Sequence, residues 1–140
     1  MIEMRKQECA RFRDMLKSEI ALLRELHHPN IVDLKQVYHT TSNCYIVREY
    51  CGGGDVAAHL KSKLRLPEQQ AVGLLRDLLS AYQYLVSKNI LHRDIKPANT
   101  FLTADGTLKL ADFGFAIRQD DSELARLNVG SPVYMAPECL

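Results

Sequence analysis

Two polar, charge-bearing segments on either side of one short hairpin constrain this 140-residue chain more than any other feature in it. Asp105-Gly106 is the dipeptide of a tight β-turn, and residues 100–103 and 107–110 flank it with β-favouring runs. His92-Arg93-Asp94-Ile95-Lys96-Pro97-Ala98-Asn99 stands before the hairpin, and Asp112-Phe113-Gly114 follows it. A hairpin reverses the chain, so the two segments are expected side by side. Asp94, Lys96, Asn99 and Asp112 then form one cluster of two carboxylates, an ammonium and an amide.

The remaining chain reads as a mixed scaffold. Residues 5–26 place Cys9, Phe12, Met15/Leu16, Ile20, Leu23 and Leu26 at helical spacing, and His27-His28-Pro29-Asn30 ends that helix. Residues 31–38 and 44–50 are β-rich runs around Thr41-Ser42-Asn43, which predicts an antiparallel pair. Gly52-Gly53-Gly54 reads as a flexible linker. A short helix is expected from Asp55, and Pro67 occupies the first position of a longer one. In that longer helix Ala71, Leu74, Leu75, Leu78, Leu79, Tyr82 and Leu85 make a stripe wide enough to predict burial in the core, with Asn89 as the stop. The fold class is α+β.

Composition narrows the partners. With 46% hydrophobic and 25% charged residues the chain is an ordinary globular one, and a net charge of +1 offers no attraction for nucleic acid or a membrane surface. Arg5, Lys6, Arg11, Arg13 and Lys17 are interleaved with acids and read as a solvated helix face. Cys9, Cys44, Cys51 and Cys139 show neither a CxxC nor a zinc-like His spacing. There is no secretory signal and no apolar run near 18 residues, so a cytoplasmic protein with no membrane segment and reduced thiols is expected.

The two segments around the hairpin, with Gly130-Ser131-Pro132-Val133-Tyr134-Met135-Ala136-Pro137-Glu138, resemble the catalytic loop, magnesium loop and activation-segment end of eukaryotic protein kinases. Three shorter strings, Asp112-Phe113-Gly114-Phe115-Ala116, Glu49-Tyr50-Cys51-Gly52-Gly53-Gly54-Asp55 and residues 130–135, are similar to the Unc-like, autophagy-initiating Ser/Thr kinases. The resemblance implies a partial bilobal kinase-like fold. About residues 5–51 would be the small-lobe helix and two strands, 52–55 the hinge, and 56–140 the first half of the helical large lobe. It also implies transfer of the ATP γ-phosphate to Ser/Thr hydroxyls of a protein substrate, with regulatory protein partners. In that scheme Asp94 orients the hydroxyl and takes its proton, and Lys96 meets the γ-phosphate, a position whose Lys marks Ser/Thr kinases. Asn99 and Asp112 supply the oxygen ligands that Mg²⁺ prefers. Glu19 matches the helix glutamate that pairs with a phosphate-gripping lysine. Glu49 and Cys51 match the hinge positions that hold adenine, and Phe101 the side chain beneath it. Asp55 matches the ribose contact, although a helix N-cap explains an Asp there equally well. Leu23, Leu34, His92 and Phe113 match an apolar column that links the lobes.

Departures are as informative. The Gly-rich loop and strand lysine of the family have no counterpart in these residues, so the isolated chain is expected to be inactive and to fold poorly or depend on a partner. An inactive, pseudokinase-type interaction module is the alternative function. Glu138 is expected to be buried without its Arg. Arg48 stands at the back of the adenine pocket, where an apolar residue or Thr is usual, with Glu19 as its conceivable partner. Leu127 occupies the usual activating phosphosite, leaving Arg93 no phosphate to bind; Ser122 is the nearest hydroxyl, among acids that oppose added charge.

Overall fold

A computed structural model describes residues 6–41 and 43–139, with the side chains of 6–14, 122 and 123 excepted. The expectations at Arg5, Cys9, Phe12 and Ser42, the side chains of Lys6, Arg11 and Arg13, and the Ser122 hydroxyl therefore lie outside the described residues. Helix α1 (Lys6–Glu25) stops ahead of Pro29, as the proline requires, and buries Ile20, Leu22 and Leu23. Strands β1 (Leu34–His39) and β2 (Cys44–Arg48) pair antiparallel, closed by the Thr40 N–H donating to the Asn43 carbonyl at 2.8 Å.

The run at 31–38 is not one strand. Residues 30–32 leave the small pair and run beside the later hairpin: Val32 N–H donates to Leu110 O at 2.9 Å, and Leu110 N–H to Asn30 O at 2.8 Å. Ile31 and Val32 are both buried there, which adjacent residues of a one-sided strand cannot be. Asp33 then turns the chain into β1, where a register shift falls between Leu34 and Gln36.

The glycine run is tied to the later hairpin rather than a loose linker, with Gly53 N–H donating to Leu102 O at 2.8 Å. Gly54 and Asp55 form β3 (Gly54–Asp55), which adds to β5 (Thr100–Leu102), and β5 pairs with β6 (Leu108–Leu110). A Cβ on Gly53 would stand 2.7 Å from Leu102 Cβ and 2.9 Å from two backbone oxygens, so only glycine admits this approach. The hairpin loop has Gly106 at φ +87° and is clamped by Thr103, which exchanges backbone and hydroxyl bonds with Thr107.

Helix α2 (Val56–Lys63) begins at Asp55, whose Oδ1 accepts the Ala58 N–H at 2.7 Å. Helix α3 (Glu68–Ser87) follows Pro67, which sits one position earlier than expected, as the N-cap. Its stop is Asn89, left-handed at φ 55°. The stripe of α3 is not buried as a whole. Its members Leu74 and Leu85 are, as is Ala81 beside them, whereas Leu75, Leu79 and Tyr82 are about half exposed. The reason is geometric: α3 packs along β4 (Ile90–Leu91) and β6 on one side only, too narrow a contact for the stripe.

Two apolar clusters result. One joins Leu22, Leu23 and Leu26 to Ile31, Leu85, Leu110 and Phe113; the other joins Val56, Leu74, Leu102 and Leu108. Finally, β4 pairs antiparallel with β7 (Ile117–Arg118), ahead of α4 (Ser122–Ala125), a ladder the sequence did not announce.

Candidate active site

The segment after β4 is held open by its backbone. Arg93 is left-handed at φ 68°, and a 3₁₀ turn, Pro97–Asn99, feeds the chain into β5. Past the hairpin Asp112 is left-handed too, at φ 60°. Such conformations cost energy for residues with side chains and concentrate at functional sites. Bonds to Ala111 join the loops: its N–H donates to Asn99 O at 2.9 Å, and His92 Nε2 lies 3.0 Å from its carbonyl oxygen. His92 also meets Phe113 edge to face at 4.8 Å. Leu23 and Phe113 share one core, with Leu34 packed against it, so all four members of the expected column come together.

Asp94 is the centre of the polar network. Its Oδ2 accepts from Lys96 Nζ at 2.7 Å and from Asn99 Nδ2 at 2.9 Å, and the same Asn99 amide donates to the Asp94 carbonyl. Burial works against ionisation here. The contacts with Lys96, Ser131 and Asn99 and the Lys96 charge outweigh it, and the Asp94 carboxyl is held below the ordinary carboxylate range. Oδ1 is shielded from solvent with no partner among the described residues. An acceptor left bare like this is costly unless a donor arrives.

Lys96 Nζ donates a second bond to Ser131 Oγ at 2.7 Å. An ammonium has three N–H groups, so one remains for a further anion. In the sequence Ser131 is only part of a motif; its bond to Lys96 is a contact between residues 35 apart, which no local pattern reveals. Gly130 makes the approach feasible. It sits at φ +116°, and a Cβ there would collide with the Arg93 carbonyl oxygen. Beside this network a groove of about 660 Å³ is lined by Asp94, Ser131, Leu127, Tyr134 and Met135 among others.

The Asn99 amide nitrogen is committed to Asp94, which leaves its oxygen to meet a cation. The Asp112 carboxylate is exposed, with the Gly114 N–H at 3.4 Å as its hydrogen-bond donor. An amide oxygen and an open carboxylate are hard donors of the kind Mg²⁺ takes, completed by water and phosphate oxygens. The residues present therefore fit that ion.

A second cavity, of about 320 Å³, is lined by Val32, Arg48, Glu49, Cys51, Phe101 and Ala111, with Tyr50 at its rim. It brings together Glu49, Cys51 and Phe101. Asp55 lies just outside this lining, and its described bond is the helix cap. The Glu49 carboxylate is tied down by Lys109 Nζ at 2.8 Å and the Asp33 N–H at 3.3 Å. Burial pushes the Cys51 thiol up, helped by the Glu49 charge, so it stays protonated. Arg48 does reach Glu19: its Nη2 donates to Oε1 at 3.1 Å. Burial raises the Glu19 pKa, the Arg48 charge opposes this, and the Asp112 charge adds to it. Glu19 thus faces both the cleft wall and the Asp112 loop.

One sequence expectation changes, at Glu138, and Arg93 finds partners the sequence does not indicate. Glu138 is exposed, so its carboxylate stays hydrated and the expected cost of an unpaired buried charge does not arise. Arg93, with no phosphate to meet beside an exposed Leu127, donates instead to the carbonyls of Phe115 (2.7 Å) and Leu124.

The protein kinase domain family matches this chain over residues 1–140. Among curated relatives, serine/threonine-protein kinase RUNKEL of Arabidopsis thaliana is 41% identical over 86% of this chain and 9% of its own length. Serine/threonine-protein kinase ATG1c of the same plant is 39% identical over 93% of the chain and 18% of its own length. Human serine/threonine-protein kinase ULK3 is 41% identical over 88% of the chain and 26% of its own length. The chain thus spans about a quarter or less of each of these relatives.

Proposed function

This chain belongs to the protein kinase family and has a partial α+β kinase fold, and on that premise we propose that it is the central part of an MgATP-dependent serine/threonine protein kinase. The observation that carries the reading is the Asp94 network: one carboxylate oxygen fixed by Lys96 and Asn99, the other buried and bare. A substrate hydroxyl brought along the groove that Asp94 and Ser131 line would donate to Oδ1. Asp94 then orients the oxygen toward the phosphoryl group and accepts its proton as the bond forms. Lys96, held by Asp94 and Ser131, directs its third N–H at the developing phosphate charge. Asn99 and Asp112 would hold Mg²⁺, which supplies neutralisation of the phosphate oxygens. Glu49 and Cys51 offer the adenine edge its backbone partners over Phe101, and Asp55 stands where ribose would meet it. Protein substrate and ATP are then the partners, with residues 52–55 as the hinge between 5–51 and 56–140. The relatives include kinases named ATG1c and ULK3, in keeping with the Unc-like resemblance, and a cytoplasmic, autophagy-linked setting is part of this proposal. Among the described residues no helix is long and apolar enough to cross a membrane.

The test is phosphotransfer from radiolabelled ATP to Ser-, Thr- and Tyr-containing peptides, by a protein that contains this chain and by its Asp94→Asn variant. Label on Ser or Thr that vanishes in the variant supports the reading; equal label in both ends it. One observation favours the alternative of a pseudokinase-type interaction module: Glu19 is already engaged by Arg48. That alternative predicts no transfer in either protein.

A further inference from the structure

We infer that Lys109 is a positioning residue for the nucleotide: its ion pair with Glu49 ties the sheet under the cavity to the adenine edge. The inference rests on the nucleotide reading above and deepens it, by naming the residue that sets that edge in place. Alternation along β6 decides where Lys109 points. Leu108 and Leu110 are buried in the core, so Lys109 leaves by the other face of the sheet, where its cross-strand partner on β5 is Phe101. Phe101 lines the cavity of about 320 Å³. The Lys109 side chain is only 12% exposed, a burial that lysine tolerates when its charge is paired. Its Nζ stands 2.8 Å from Glu49 Oε1.

Glu49 is gripped from the other side by Asp33. The Glu49 N–H donates to Asp33 O at 2.8 Å, and Glu49 Oε2 accepts the Asp33 N–H at 3.3 Å. What remains is the Glu49 carbonyl, which, like the Cys51 N–H, has no hydrogen-bond partner among the described residues. Both residues line the cavity, so an acceptor and a donor stand ready there for an adenine edge. With its N–H and both side-chain oxygens engaged, Glu49 resists turning that carbonyl away. Lys109 supplies the side-chain part of this hold. The backbone part is separate: Val32, next to Asp33, donates to Leu110 O. Removing the Lys109 charge therefore loosens Glu49 and leaves the pairing of residues 30–32 with β6 in place. Lys35 is a nearby cation of another kind, exposed and committed to Asp33 Oδ2 at 2.9 Å, and serves as the control.

The experiment uses a protein that contains this chain and reads KM for ATP, KM for a Ser/Thr peptide and kcat, with thermal melting as the check on folding. Lys109→Met keeps the stem and removes the charge. It should raise KM for ATP about three- to tenfold, the range of one lost hydrogen bond, with kcat and the peptide KM within about twofold. Lys109→Arg should restore most of the affinity. Glu49→Gln should reproduce the rise, and the double variant should add little to either single one, since both break the same pair. Lys35→Met should leave all three constants unchanged. An unchanged KM for ATP in folded Lys109→Met overturns the inference, as does a fall in kcat alone or an equal rise in Lys35→Met. Should Lys109→Met melt early, the decision passes to Glu49→Gln, whose unchanged KM for ATP overturns the inference equally. Transfer with unaltered constants in these variants removes this inference and spares the kinase reading; no transfer by the unaltered protein removes both.

Discussion

At Asp94 one carboxylate has two tasks: Oδ2 gathers Lys96 and Asn99, and Oδ1 waits for a donor. On the proposed function, Asp94→Asn keeps the shape and removes the base. Phosphotransfer is therefore expected to fall by about two to four orders of magnitude, read as initial rates of phosphopeptide formation. A rate within threefold of the unaltered protein would sink that role. His92 and His28 give a prediction of a different kind. Burial lowers both pKa values from the ordinary 6.5, in His92 against the pull of the Ala111 carbonyl and in His28 with help from Lys109. The folded state then binds protons less readily than the unfolded one. Their contribution to stability is present above pH 6.5 and is lost as pH falls below it through the folded-state values. Urea midpoints should drop between about pH 7.5 and 5.5, and the drop should be smaller in His92→Gln. Glu19 works in the opposite sense, since its raised pKa favours the fold at low pH. The comparison with His92→Gln isolates the imidazole.

Among the elements, β3 and the start of α2 are the most exacting. Gly53 packs against Leu102 and the oxygens of Leu102 and Thr103, backbone that cannot step aside. Gly53→Ala is expected to cost about 1–3 kcal/mol, measured by chemical denaturation. Asp55 caps α2 through Ala58, and Asp55→Ala should cost about 1 kcal/mol while Asp55→Ser restores most of it. The serine also separates the two readings of this residue. If stability returns but ATP affinity stays low, the carboxylate meets ribose; if both return, Asp55 is a cap and nothing more.

On the scale of the molecule, the outer face of α3 is the conspicuous surface. Val72, Leu75, Leu79, Tyr82 and Val86 are 40–53% exposed and recur three and four residues apart. A contiguous apolar strip of this kind drives association. The isolated chain should therefore self-associate with concentration, and Leu75→Gln with Leu79→Gln should reduce this in light scattering. Because those side chains contribute little to the core, melting should hardly change. A marked fall in melting temperature would show that they are packed after all.

The residue types of the site, their order and their placement around a hairpin follow from the sequence, because turn chemistry is local, although the turn centres on Ala104-Asp105, closed by Gly106 N–H to Thr103 O at 3.1 Å, with Gly106 itself in the left-handed position after it. Helix ends at Pro29, Pro67 and Asn89 were legible for the same reason. What depends on neighbours distant in sequence was not. Residues 30–32 looked like the start of β1 and pair with β6 instead. The glycines at 52–54 looked loose and are clamped on β5. The α3 stripe looked like core and half of it is exposed. Ser131 finds Lys96, Lys109 finds Glu49, and Arg48 finds Glu19 only once the chain is folded. Periodicity reports which side chains share a face, but only the packed tertiary structure decides what, if anything, covers that face and which charges end as neighbours.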